Sequence, residues 1–289
     1  MRIDSVLLFI FVIMTSCNHS SGRNKRSSIT REQLTIESSI IIIGQPDQEN
    51  GGQPPSSSVV DYGFTQWQPA PSTHVSELII NKKAFCISYN MDTKIPNWVA
   101  WHLIAEHTDG LCKRLGNFHE DEDVPMPRAT LDDYRGSGWS RGHMCPAGDN
   151  KWDRIAMSES FLLSNMCPQD RNLNSGLWNR IEMDCRKWAQ KYGSVFIVCG
   201  PVLYNKEHET IGVNKVVVPE AFFKVILCLQ GTPKAIGFVV KNNAGTKKKD
   251  QYINTVDEVE RITGYDFFPS LPDSIEDKVE AYSNLEDWS

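Results

Sequence analysis

Ser140-Arg141-Gly142-His143-Met144-Cys145-Pro146 is followed, about thirty residues on, by Asn172-Leu173-Asn174-Ser175-Gly176-Leu177-Trp178-Asn179-Arg180-Ile181-Glu182. The first stretch sets a histidine two positions from an arginine, on the same side of an extended segment. The glycine between them lets another part of the chain come close. The second stretch opens an amphipathic helix. Trp178, Ile181, Cys185, Trp188, Ala189 and Tyr192 recur at helical spacing, which predicts a helix from about Asn174. Glu182 stands eight residues past Asn174. At about 3.6 residues per turn the two fall near one face, about 80° apart.

These residue types suit one chemistry. An imidazole such as His143 can take a proton from water near neutral pH, although a histidine taken alone is more often structural. Asn174 offers an amide oxygen to a hard cation. Mg2+ keeps several waters beside one or two protein oxygens, so a single neutral ligand is sufficient. The competing role for Asn174 is the N-cap of the helix. Glu182 would hold water bound to that metal, and otherwise it is a solvated carboxylate. Arg141 would stabilise the extra negative charge of a transition state. A base, a cation, a hard-metal ligand and a carboxylate are the parts needed to hydrolyse a phosphodiester.

The pair of stretches resembles the DNA/RNA non-specific endonucleases, the family of Serratia nuclease and endonuclease G type within the ββα-metal (His-Me finger) superfamily. The resemblance spans roughly residues 75–270. It takes in Ser88-Tyr89-Asn90, Ile95-Pro96-Asn97-Trp98, Asp133-Tyr134-Arg135-Gly136-Ser137-Gly138, Ser164-Asn165-Met166-Cys167-Pro168-Gln169 and Val218-Pro219-Glu220-Ala221-Phe222-Phe223-Lys224. It implies a ββα-metal core, Mg2+ with Mn2+ as the alternative, and cleavage of both DNA and RNA leaving 5′-phosphates. It also implies a second transition-state arginine, Arg114, in Cys112-Lys113-Arg114-Leu115-Gly116-Asn117-Phe118, whose other reading is a plain surface cation. The chain departs from the family at Ser140, where an aspartate is usual. Losing that carboxylate would be expected to lower activity. Cys145 and Cys167 stand where small residues are commoner.

Around these stretches the pattern predicts strands at Leu78–Ile80, Ala84–Tyr89, Asn97–Glu106, Gly142–Cys145, Val195–Cys199, Val213–Val218, Ala221–Leu229 and Ala235–Val240. Helices are expected at Ser158–Asn165 and from Thr255, a capping-box start, to Thr263, with Gly264 as the stop. Strands and helices in irregular order predict an α/β (α+β) fold: a mixed, mainly antiparallel sheet with helices on its faces.

The net charge of −6 does not suit a polyanion-binding protein, but it is unevenly placed. Residues 271–289 carry a net −5, so the rest of the chain stands at −1 and leaves room for a basic groove. Residues 1–17 read as an export signal, with an apolar run from Val6 to Met14 too short to span a bilayer. Met14-Thr15-Ser16-Cys17 resembles the lipobox of bacterial lipoproteins. That makes Cys17 the expected lipidation site and the cell envelope, at its periplasmic or surface face, the expected location. Residues 18–74 read as a tether, 75–270 as the folded domain and 271–289 as an acidic tail. No protein partner is evident.

Seven cysteines remain beyond Cys17: Cys86, Cys112, Cys145, Cys167, Cys185, Cys199 and Cys228. An exported chain can form disulfides, and a Cys145–Cys167 bridge would clamp the base segment to the ligand helix. Two rival functions follow from the same residues. One is a catalytically weak nucleic-acid-binding surface lipoprotein, with Ser140 as a sign of decay. The other is a structural Zn2+ site on His143, Cys145, Cys167 and Cys185.

Overall fold

The computed structural model describes residues 67–71, 75–244 and 248–289. The expected signal segment, Cys17 and most of the expected tether lie outside the described residues.

Ala221-Phe222-Phe223-Lys224-Val225-Ile226-Leu227-Cys228 has no polar side to turn to water, and it forms a strand buried along its whole length. Such a run belongs in the middle of a sheet covered on both faces. The strands are β1 (Leu78–Asn81), β2 (Cys86–Asn90), β3 (Ile95–Ile104), β4 (Ser140–His143), β5 (Met166–Gln169), β6 (Ser194–Val202), β7 (Thr210–Ile211), β8 (Val216–Val217), β9 (Ala221–Cys228), β10 (Lys234–Lys241) and β11 (Ile253–Asn254). Seven of them form one sheet in the order β1-β2-β3-β6-β9-β10-β11. Each neighbouring pair in it is antiparallel.

Period-2 alternation then assigns the faces. Phe222 and Ile226 of β9, with Ile197 and Cys199 of β6 and Val99 and Trp101 of β3, meet the core beneath the Asn179–Tyr192 helix. Phe223, Val225 and Leu227 point to the other face, where the Val256–Thr263 and Asp273–Glu280 helices lie. Lys224 shares its side of β9 with Phe222 and Ile226 and so projects toward the Asn179–Tyr192 helix.

The helix expected from Thr255 forms as read. Thr255 accepts from the Glu258 amide, and Gly264 closes it with φ of 73°, a left-handed cap that favours glycine. The helix expected over Ser158–Asn165 is displaced to Arg154–Glu159. Asp153 caps it by accepting from the Ile155 and Ala156 amides. Of the Val213–Val218 run only Val216–Val217 is strand, and it pairs with Thr210–Ile211 in a small hairpin.

The C-terminal stretch is folded, although charge alone sets it apart. Val279 and Trp288 are buried, and Trp288 packs on Trp188 with ring centres 4.5 Å apart. At the other end, Trp67 packs on Phe196 and the Ala70 amide donates to the Asp266 carbonyl. The packed part of the chain therefore includes residues before Val75.

Candidate active site

β4 and β5 form a separate two-stranded antiparallel ribbon in which Arg141 faces Pro168, Gly142 faces Cys167 and His143 faces Met166. Gly142 is needed there. A Cβ on it would stand 2.3 Å from the Gln169 side-chain Oε1 and 2.6 Å from its Cβ. The chain then turns through Asp170, whose carboxylate caps the following helix by accepting from the Asn172 and Leu173 amides. Two strands and this helix make a ββα unit packed on the large sheet.

Two expectations about the helix need correction. Its mouth is at Asp170, so Asn174 is not an N-cap but sits one turn inside, with its own amide bonded to the Asp170 carbonyl. The turn Asn174–Trp178 is also π-helical, with a kink at Gly176. A π turn holds one extra residue. The wide turn and the kink break the regular 3.6-residue phase, so the 80° expected for a straight helix does not apply. Asn174 and Glu182 nevertheless line the same cavity.

His143, Arg141, Arg114, Asn174 and Glu182 all line a single open cavity of about 820 Å3. The imidazole is 7% exposed. It is held edge-on to Phe161 at 5.1 Å and tilted against Phe118 at 5.5 Å between ring centres. The same two rings seat the arginines. The Arg141 guanidinium lies 4.4 Å from the Phe118 centre, and that of Arg114 lies 5.3 Å from the Phe161 centre. His143 Nε2 is buried without a hydrogen-bond partner among the described residues. Burial, and then the nearby Arg114 charge, lower the His143 pKa to about 3. The imidazole is therefore neutral at ordinary pH and its free nitrogen can accept a proton.

Glu182 is pushed up to about 7 by burial, against the pull of Lys224, Arg186 and Arg114. Arg186 was not foreseen, although it lies four residues past Glu182 on the same helix face. Its guanidinium lines the cavity and forms a 2.8 Å ion pair with buried Asp149. Asp149 in turn accepts from the Trp101 indole at 3.1 Å. Behind them lies Lys224, fully buried, with its ammonium between the Trp178 and Trp101 rings. Burial works to lower the Lys224 pKa, yet it stands above the usual value because of surrounding groups. The neighbouring thiols of Cys199 and Cys185 are themselves pushed up to about 11 and about 12 and are neutral. The carboxylates of Glu182 and Asp149 therefore hold that proton in place.

Arg135 and Arg171 also line the cavity, which makes five arginines against one acid, Glu182. A locally basic groove thus coexists with an acidic chain. Ser140 sits on the same wall.

The zinc and disulfide readings do not survive. Among the described residues, the one group of three or more His, Cys, Asp or Glu close enough to share an ion is Asp257, Glu260 and Glu280, far from His143 in the sequence. Cys145 and Cys167 are free, buried thiols. The ribbon register explains this. Cys167 faces Gly142, so Cys145 is three positions further along, about 10 Å at about 3.3 Å per residue. A disulfide needs its Cα atoms within about 7 Å.

A family model described as DNA/RNA non-specific endonuclease matches residues 67–274. The chain belongs to that family. Among relatives, mitochondrial nuclease EXOG of Xenopus laevis is 37% identical over 228 residues, covering 73% of this chain and 62% of that protein. Nuclease C1 of Cunninghamella echinulata var. echinulata is 34% identical over 236 residues, covering 75% of this chain and 90% of its own. A solved complex of EndoG with EndoGI, described as showing the mechanism of EndoG inhibition, superposes with a TM-score of 0.64 at 30% identity. It covers 68% of this chain and 88% of that one. The chain spans 62% of the Xenopus EXOG relative and 55% of the human one. The family's matched span includes Trp67, which packs onto Phe196.

Proposed function

We propose that this protein is an exported, Mg2+-dependent endonuclease that hydrolyses phosphodiester bonds of DNA and RNA without reading base identity, leaving 5′-phosphates. One observation carries the reading. A buried, neutral imidazole with an unpartnered nitrogen shares a cavity with an amide oxygen, a carboxylate and five arginines.

The donor set fits the cation. Asn174 and Glu182 are hard oxygen donors lining one cavity, and the Asn174 amide is not used for capping. Asn174 would hold the ion directly and Glu182 would hold its waters. When bound, Mg2+ supplies charge stabilisation at the phosphate and the leaving oxygen.

The chain's own residues do the rest. Phe118 and Phe161 fix the His143 ring, and its Nε2 takes a proton from water. The hydroxide so formed attacks phosphorus in line, the bond to the 3′-oxygen breaks, that oxygen takes a proton from water, and His143 returns its own proton to solvent. Arg141 and Arg114 lie where they can meet the additional negative charge. Arg186, oriented by Asp149, sits beside Glu182 and balances its charge. The arginines would contact mainly phosphates, which carry no base identity, so little sequence preference is expected.

Residues 1–17 and Cys17 add a second part to the proposal, a lipid anchor that holds the enzyme in the cell envelope. No helix of the described residues is long and apolar enough to cross a membrane. Globomycin-sensitive processing that depends on Cys17 tests this part separately.

The decisive experiment incubates plasmid DNA and RNA with wild-type protein and with His143→Ala, in Mg2+ or in chelator. Cleavage of both polymers by wild type in Mg2+ alone, lost in the variant, is expected. Metal-independent binding with no cleavage would instead select the weak binding-lipoprotein function.

A further inference from the structure

On the face of the sheet opposite the cavity, the Val256–Thr263 and Asp273–Glu280 helices pack side by side against β10. They bring together Asp257 and Glu260 from the first with Glu280 from the second. One oxygen from each lies within 4.8 Å of the other two. Acidic groups on a surface often meet without consequence, but Glu280 is not on the surface. It is 7% exposed, and its Oε1 is buried with no hydrogen-bond partner. Among the described residues, no lysine or arginine forms an ion pair with any of the three. Glu260 Oε1 accepts from the Phe267 amide at 2.7 Å, which fixes its carboxylate in the gap between the helices.

An unpaired carboxylate taken out of water beside two others is costly unless something cancels its charge. Burial and the neighbouring carboxylates, including Asp266 and Glu276, raise Glu260 to about 7 and Glu280 to about 8. The cluster is therefore frustrated as it stands. Protons or a cation would relieve it. All the donors are hard oxygens, and a span of 4.8 Å matches two bonds of about 2.3–2.6 Å to Ca2+. Side chains from two separate helices suit the irregular coordination that Ca2+ accepts, whereas Mg2+ demands near-octahedral geometry with shorter bonds.

We propose that Asp257, Glu260 and Glu280 form a structural Ca2+ site that staples the C-terminal helix to the helix before it. The site is independent of the active-site cavity and does not rest on the nuclease reading.

The test is thermal unfolding of the full chain in CaCl2 and in EGTA, for wild type, Asn174→Ala, Glu280→Gln and Asp257→Asn. Calcium at about ten times its dissociation constant should raise the wild-type Tm by on the order of 3–6 °C. The rise should persist in Asn174→Ala, which removes the proposed ligand in the cavity. Glu280→Gln should cross over: at least as stable as wild type in EGTA, because a repulsion is gone, yet unresponsive to calcium. Asp257→Asn, at an exposed position, should fold normally and respond less, which keeps the test open if Glu280→Gln fails to fold. An equal rise in Glu280→Gln would place the ion elsewhere. No rise in wild type would mean that protons alone neutralise the cluster. Either result overturns the proposal.

Discussion

The Lys224 ammonium lies 4.8 Å from the centre of the Trp178 ring, and Trp178 is the last residue of the π turn that carries Asn174. Lys224 Nζ has no hydrogen-bond partner among the described residues. Its charge is met by two indole faces, worth about 2 kcal/mol or more each when desolvated, and by the carboxylates of Glu182 and Asp149. The central strand thus presses a cation against the back of the turn that opens the cavity.

Replacing this cation separates its two effects. Lys224→Met keeps volume and burial, but removing one partner from a buried set of charges leaves the others uncompensated, which is destabilising. Unfolding free energy should therefore fall by about 3–5 kcal/mol, less where Glu182 takes up a proton. Activity should fall about 10–100-fold, the usual cost of losing a partner one step behind a metal ligand, if Glu182 holds the waters of the proposed Mg2+, because Glu182 and Asp149 lose their counter-charge. Activity within twofold of wild type in a stable Lys224→Met protein would remove Lys224 from any positioning role.

Asn174 and Asp170 give opposite signatures. Asn174→Ala should abolish Mg2+-dependent cleavage and leave the Tm within a degree or two, since alanine is the best helix former and the cap lies elsewhere. Asp170→Ala should cost about 0.5–2 kcal/mol of stability through the lost cap. A folded Asn174→Ala protein with near-normal activity would refute the ligand assignment.

His143 carries a pH prediction. Its pKa is near 6.5 in the unfolded chain and about 3 in the fold. Below pH 6.5 the unfolded chain binds the extra proton and the folded one does not. The contribution of this group to stability is therefore complete above 6.5 and is lost as pH falls from there toward 3. An NMR titration of the metal-free protein should find His143 unprotonated at pH 5. Arg114→Ala should shift its titration upward by removing a like charge. His143→Ala should slow the chemical step by about 10²–10⁴-fold. A titration near 6.5 in wild type would show that the ring is not sequestered as described.

Gly142→Ala tests the ribbon. The added methyl meets Gln169, which is itself fully buried, so the strands must part. The expected cost is about 1–3 kcal/mol, with a loss of activity larger than that of any surface substitution. Circular dichroism melts and cleavage assays on the same samples would measure both.

The sequence made the candidate site residues, which the fold gathers in one cavity, legible because each sits in a pattern with a chemical meaning. His143 and Arg141 alternate on a strand, and Asn174 and Glu182 share a helix. Their supports were harder to see. β5 contains Pro168, which argues against a strand except at an edge, and it is indeed half of an isolated ribbon. The π turn has no local signature in Asn174-Ser175-Gly176 beyond its glycine. Asp149 is tied to Arg186 only through the tertiary fold, although Arg186 itself was visible at four residues past Glu182. Lys224 lies inside an apolar run that reads simply as a core strand. In 271–289 the tally of charges hid Val279 and Trp288, which carry the packing.

The seven-stranded sheet separates a cavity lined by five arginines from helices bearing the exposed Asp257, Asp273 and Asp277. Charge in this molecule is thus a vector as well as a sum. A polyanion approaching from solution is drawn toward one hemisphere and repelled from the other, so the torque of its field turns the cavity forward before contact. Encounter becomes orientation-selective, and its rate should fall steeply as salt screens the field. An overall negative protein can in this way be captured quickly by a negative polymer.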